Sequence, residues 1–395
     1  MPDSQFWWLI AFPVFFGLGW LAARVDIKHV LSETRSLPAS YFKGLNFLLN
    51  GETNRAVDVY VDIARHHAET VELQFTLGHL FRRRGELERA IRMHQKLLTR
   101  RDLNAVQRQQ AQFELAQDFM KAGLFDRAET ILTELANTDY ARQARTELLA
   151  VYQQEKDWPK AIETARQLRD DSHNYQHEIA QFYCELAAQA HTRSHTEEAL
   201  GFLEQALEAN RQCARARLIL GEIAYAAGDH QAAIDHWLQL EMQDPLYLAL
   251  AARQLLAAYE ALGQSEEGTT LLLRLLQQYP ELDVLDLAYE RMLAQRGLDA
   301  AYAFVRERLQ THPTMPSLRK VLEAHMLVAP DEQKAELDII VKLLNDATRE
   351  QTMYFCNHCG FKAKQYFWHC PACTAWEAFA PVRGRKNRLH QTESY

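Results

Sequence analysis

Four thiols at fixed spacing carry the most specific chemistry in this chain. Cys356-Asn357-His358-Cys359 and Cys370-Pro371-Ala372-Cys373 form two CxxC pairs with ten residues between them, a pattern that reads as a tetrahedral thiolate site for one metal ion. Each CxxC makes a tight turn whose following N–H groups can point at sulfur, and Gly360 supplies the positive φ that such a turn tends to require. Iron and zinc both suit four thiolates, and the sequence does not choose between them. Four sulfurs leave no open coordination position, so water activation and hydrolysis at this site are disfavoured. His358 and His369 are the alternative ligands at hand, but four cysteines in register make them unnecessary. The module can bury little beyond Tyr354, Phe361, Phe367, Trp368, Trp376 and Phe379. Metal binding should therefore supply much of its folding energy, on the order of 10 kcal/mol.

Other candidate chemistry is weaker. Cys184 and Cys213 stand alone within helical stretches and read as small buried apolar residues. Six cysteines, four of them in CxxC pairs, make no disulfide framework, and the pattern belongs to a reducing compartment. His191 and His195 have helical metal-pair spacing but no Glu at 192, and they read as surface histidines, as does the pair His66-His67. Gly17-Leu18-Gly19-Trp20-Leu21-Ala22 fits a dinucleotide pattern but lies inside an apolar run, not between a strand and a helix. No Walker loop, HExxH or nucleophile elbow occurs, which argues against an enzyme.

The elements that must carry the thiolate site are helical. Gly and Pro number only 15 and 11 in 395 residues, so few positions interrupt regular structure. No sheet is expected except around the cysteines. A period near 34 residues recurs, built on a small residue, an aromatic three later and Ala twelve after the first. Gly78, Phe81, Gly85 and Ala90 form its clearest copy, repeating Gly44, Phe47, Ala56 and Tyr60. Later copies include Ala116, Phe119, Gly123 and Ala128, then Tyr152 and Ala161, Ala187 and Ala199, and Gly221, Gly228, Ala233, Trp237 and Pro245. Tyr259, Gly263, Gly268 and Pro280 follow, and then Gly297, Ala301 and Pro313. This is the signature of about eight tetratricopeptide-type hairpins, in which the small residue admits the second helix and Gly ends the first. Stacked hairpins form a solenoid with a concave groove suited to a peptide or partner helix. Arg82-Arg83-Arg84 and Arg100-Arg101 fall at hairpin turns, where charge runs are usually solvated, with a docking patch as the sharper alternative.

Phe6 to Ala23 is eighteen residues without a charge. At 1.5 Å per residue it spans roughly 27 Å, enough for a bilayer core. Trp7, Trp8 and Trp20 sit near its ends, and Arg24, Lys28, Arg35 and Lys43 follow it while only Asp3 precedes it. The positive-inside rule then places everything after residue 23 on the cytoplasmic side. No basic residue precedes the run and no small-x-small pair follows it, so a cleaved signal peptide is the poorer reading. A net charge of −8 argues against nucleic acid as a partner. Arg383, Arg385, Lys386 and Arg388 make a short basic tail that either keeps the end soluble or touches anionic lipid.

The sequence thus predicts an all-α chain: an anchor over residues 1–23, a linker over 24–37, a hairpin array over 38–346, a metal module over 350–382 and a tail over 383–395. With these elements in place, the chain resembles the lipopolysaccharide assembly protein B family of bacterial inner-membrane proteins. The resemblance is carried by Gly44 to Leu49, Leu77 to Gly85 with Arg89 to Arg92, Phe182 to Ala187, His312 to Met315, the run Cys356 to Trp376, and Pro381 to Gly384. It implies a rubredoxin-like terminal domain packed on the repeats, with one iron or zinc ion held by Cys356, Cys359, Cys370 and Cys373. It also implies an adaptor that helps a membrane-anchored AAA+ protease degrade the lipid A pathway deacetylase, under relief by a membrane sensor of lipopolysaccharide level. Two other readings remain open. One is a general scaffold for lipopolysaccharide synthesis and transport assembly proteins; the other is a rubredoxin-like electron carrier. A homo-oligomer is neither required nor excluded.

Overall fold

The computed structural model describes residues 43–44, 46–47, 49–66, 70–168, 174–348 and 353–384. The anchor predicted over 1–23, the linker 24–37, the side chains of His66-His67 and the tail beyond Gly384 lie outside them. Among the described residues, no helix is long and apolar enough to cross a membrane. These residues are mostly helical and form two compact units that divide between Lys156 and Asp157.

In the first unit the helices Val71–Arg83 and Leu87–Leu98 form one hairpin, Ala105–Lys121 and Phe125–Leu135 form the next, and Thr53–His66 and Ala141–Glu155 flank them. In the second, Trp158–Gln167 leads into the pairs Gln176–Thr192 with Thr196–Ala209, Ala214–Ala226 with His230–Leu238, and Leu248–Ala261 with Ser265–Gln278. Leu285–Thr311, broken at Gly297 where φ is 83°, then precedes Met315–Val328 and Asp331–Ala347. Strands Tyr354–Phe355 and Lys362–Ala363 pair antiparallel in the cysteine module. Among the described residues they make the one sheet, as expected.

The hairpin turns follow from local chemistry. Gly85, Gly123, Gly228 and Gly263 adopt φ between 73° and 81°. The chain then closes with bonds such as Glu86 N–H to Phe81 O at 2.9 Å and Leu124 N–H to Phe119 O at 2.8 Å. These are the left-handed C-caps that glycine makes without steric penalty. At two turns the same backbone is taken by Lys156 (φ 59°) and Ser194 (φ 64°), which carries a penalty of roughly 1 kcal/mol each. Several helices start at a side-chain cap: Thr70, Asp157, Asp229 and Thr314 accept an N–H in the first turn, and Asn104 with Gln107 forms a full capping box.

The small residue of each repeat has a specific opponent. A Cβ added to Gly44 would lie 2.8 Å from the Tyr60 ring, one on Gly78 would enter the His94 imidazole, and one on Gly221 would enter the Trp237 indole. In all three the opponent is the sixteenth residue after the glycine, so a ring on the second helix occupies the space that the missing side chain leaves on the first. Where the small residue is Ala116 or Ala187, the sixteenth residue on is Leu132 or Leu203, both fully buried. In these five repeats helix approach is thus matched in volume.

His94 ties this packing to charge. Its Nδ1 lies 2.6 Å from Asp118 Oδ2, and both side chains are fully buried. Asp118 Oδ1 accepts from Arg82 at 2.9 Å, and the other end of the guanidinium meets Glu114. The predicted arginine runs are therefore largely engaged: Arg82 is 9% exposed, Arg84 pairs with Glu86, and Arg100 chelates Asp102.

Candidate metal centre

The cysteine module builds its site from two similar turns. After Cys356 the chain closes with Gly360 N–H donating to Cys356 O at 2.9 Å, and after Cys370 with Thr374 N–H donating to Cys370 O at 2.9 Å. Gly360 takes φ 77° as expected. In the second turn Thr374 takes φ 59°, a costly backbone for a β-branched residue, and its hydroxyl donates to Cys373 O at 2.7 Å. Bridges Cys356 to Phe379 and His369 to Trp376 bind the two halves, and Phe379 at 1% exposure is their centre.

These turns bring all four predicted cysteines together, with sulfurs within 4.8 Å of one another. The Cys356–Cys373 and Cys359–Cys370 separations are 3.7 and 3.8 Å. A tetrahedron with metal–sulfur bonds of about 2.3 Å has edges of about 3.8 Å, whereas a disulfide needs about 2.0 Å. The arrangement fits one metal ion and no disulfide. Backbone N–H groups of His358 and Cys359 face the Cys356 sulfur, those of Ala372 and Cys373 face Cys370, and that of Ala375 faces Cys373. Such donors stabilise thiolates, and either iron or zinc would be satisfied by them. Without a cation the thiols differ: burial raises Cys356, burial together with the neighbouring sulfurs pushes Cys373 up to about 12, and at Cys370 the N–H groups of Cys373 and Ala372 outweigh burial and lower the thiol. Metal binding must release the thiol protons. His358 is exposed, and His369 stacks on Trp376 with centroids 4.4 Å apart; neither belongs to the cluster.

The module does not stand apart from the helices of its unit. Trp376 meets Trp158 and Phe182 edge-on at 6.0 and 5.8 Å, and Trp368 stacks on Tyr247 at 5.4 Å with the rings 6° from parallel. Tyr366 adds an edge contact to Tyr247, and the Arg215 guanidinium lies 5.7 Å from the Trp368 ring and 6.0 Å from Trp376. Arg215 is itself held by Glu185 at 2.8 Å. Glu377, in left-handed backbone (φ 47°), accepts from Gln181 at 2.6 Å and lies 3.3 Å from His177; burial raises its carboxyl above the ordinary range, against the pull of His177. At the far end Arg383 clasps Asp283 with two bonds.

Two expectations change here. Of the six aromatics expected to fill the module, Trp368 and Trp376 pack onto the repeats, and Phe361 is 38% exposed. Arg383, expected in the basic tail, is committed to Asp283. Sequence reasoning missed Gln181, Arg215, Tyr247 and Glu377. A charged residue beside a buried Cys213, or a Glu following a metal ligand, is no signal until the partner surface is known.

The comparisons agree with this architecture. Residues 354–381 match the rubredoxin metal binding domain, and residues 190–245 match the tetratricopeptide repeat. The chain is 34% identical over 376 residues to lipopolysaccharide assembly protein B of Escherichia coli (strain K12), spanning 94% of this chain and 97% of that one. It is 30% identical over 391 residues to the protein of the same name from Haemophilus influenzae, spanning 95% and 98%.

Proposed function

We infer the function from one premise: this chain belongs to the lipopolysaccharide assembly protein B family. Its coarse role is then in lipopolysaccharide assembly, performed through protein contacts. The finer reading is a non-enzymatic adaptor, anchored by residues 6–23 in the bacterial inner membrane with its bulk on the cytoplasmic side. It promotes degradation of the lipid A pathway deacetylase by a membrane-anchored AAA+ protease, and a membrane sensor relieves that control. Cys356, Cys359, Cys370 and Cys373 hold one structural iron or zinc ion.

The observation that carries this reading is the seating of the module. A closed four-sulfur site offers no position for substrate, and its tryptophans are spent on Trp158, Phe182 and Tyr247. The site is built as a clamp on helices whose fold is suited to holding other chains. Confinement to the membrane plane raises the effective concentration of protease and substrate without any chemistry by this chain. Depletion in cells tests it, with immunoblotting of the deacetylase. Deacetylase should accumulate on depletion and return with the wild-type chain, but not with Cys370→Ser. An unchanged deacetylase level would overturn the adaptor reading, and co-purification of transport proteins in place of the protease would favour the general scaffold.

A further inference from the structure

Two cysteines that the metal site does not use are brought together beneath it. Cys184, within Gln176–Thr192, and Cys213, the residue before Ala214–Ala226, are 29 positions apart in sequence, yet their sulfurs lie 3.7 Å apart. Both are fully buried. Over them lies Gln181, also fully buried, whose Nε2 is 3.7 Å from the Cys213 sulfur and 2.6 Å from the Glu377 carboxylate. Glu377 follows the ligand Cys373 by four residues, next to the docked Trp376. The order from surface to core is therefore metal module, Glu377, Gln181, thiol pair.

We propose that Cys184 and Cys213 form a latent disulfide whose oxidation is gated by the seated metal module. While the module is in place, the pair is sealed and reduced. When the module lifts, through metal loss or local opening, Gln181 loses its outer partner and a small-molecule disulfide can reach the sulfurs. Cys213 thiolate attacks one sulfur of that disulfide, expelling a thiolate and leaving a mixed disulfide. Cys184 thiolate then attacks the Cys213 sulfur and expels the second thiolate. The two protons of the cysteines pass to the two released thiols, so the small disulfide is reduced by two electrons as the pair is oxidised.

Cys213 is suited to attack first. The hydrogen bond from Cys184, aided by the Ala216 N–H at the start of the following helix, lowers its pKa, while burial raises that of Cys184. Closing the pair from 3.7 Å to about 2.0 Å asks for side-chain rotation that the seated Gln181 contact opposes. The product cross-links two successive hairpins, so metal loss is recorded covalently until a dithiol reductant reverses it.

The test uses the full-length metal-loaded protein, incubated with oxidised glutathione, quenched with iodoacetamide and mapped by non-reducing peptide mass spectrometry. Loaded wild type should keep both thiols reduced, alkylated only once the protein is unfolded. Glu377→Ala with its metal content verified should form the Cys184–Cys213 peptide cross-link about tenfold faster or more, as expected for an opened local cover. Wild type stripped by a chelator provides a second arm that needs no variant, and its cross-link should slow reseating of the module on metal return until reductant is added. Equal cross-linking rates in loaded wild type and in both opened forms would overturn the proposal. So would glutathione adducts on Cys213 that never resolve to the internal bond, since the two sulfurs would then be space-filling residues only.

Discussion

The hairpins of the first unit and the metal module are stabilised on opposite plans. In residues 53–155 the apolar contacts repeat: Ala56, Leu77, Ala90, Leu97, Leu115, Ala128 and Leu132 are buried along successive helices. A concentrated polar feature among them is the Arg82–Asp118–His94 cluster. In residues 354–384 the buried apolar set is small, with Phe379 packed among Cys356, Ala363 and Cys370, and order depends on four sulfurs and on the borrowed surface of neighbouring helices. Distributed burial tolerates local damage because each contact is a small share of the total. A small module whose folding energy is mostly metal binding does not.

The largest expected effect follows directly. Cys370→Ser should cost the module most of its metal-binding energy, on the order of 10 kcal/mol, seen as loss of stoichiometric metal and rapid proteolysis within 354–384. Helical circular dichroism should barely change; a large helical loss would erase the contrast. Next, Asp118→Ala takes away the buried partner of His94 Nδ1 and one of the two carboxylates on Arg82, which keeps its bonds to Glu114, and removing one member of a buried ion pair costs about 3–5 kcal/mol. Urea denaturation should show this loss while metal content stays at wild-type level. Smaller still, Gly221→Ala pushes a methyl into the Trp237 ring and should cost about 2–3 kcal/mol, the upper part of the range for overpacking. Gly85→Ala, set in open space at φ 78°, should cost about 1 kcal/mol through backbone strain alone; equal losses at the two glycines would refute volume matching. The smallest effect should be a gain: Thr374→Gly relieves a left-handed β-branched residue and should stabilise the module by up to about 1 kcal/mol, read as slower metal transfer to a chelator.

The same contrast explains what the sequence disclosed. Gly78, Phe81, Gly85 and Ala90 announce a hairpin because helix approach, turn and packing each demand a residue type at a fixed offset, and the offsets recur. The four cysteines announce their site because thiolate geometry restricts spacing. By contrast, Lys156 and Ser194 hide two turns, since a left-handed backbone there is tolerated at a penalty instead of being supplied by glycine. His94 as the opponent of Gly78 was legible in principle, sixteen residues on, but only once Tyr60 and Trp237 are seen in the same role. The docking surface was least legible. Gln181, Arg215 and Glu377 are far apart in sequence, and nothing about a single polar residue on a helix face says which distant loop it will meet.

Hydrogen exchange on the full chain, with metal and after chelation, tests the clamp most directly. Chelation should strip protection from 354–384 and raise exchange in the helices that receive it, Gln176–Thr192 and the start of Ala214–Ala226, with 53–155 unchanged. Unaltered exchange in those receiving helices, despite complete metal removal, would contradict the clamp.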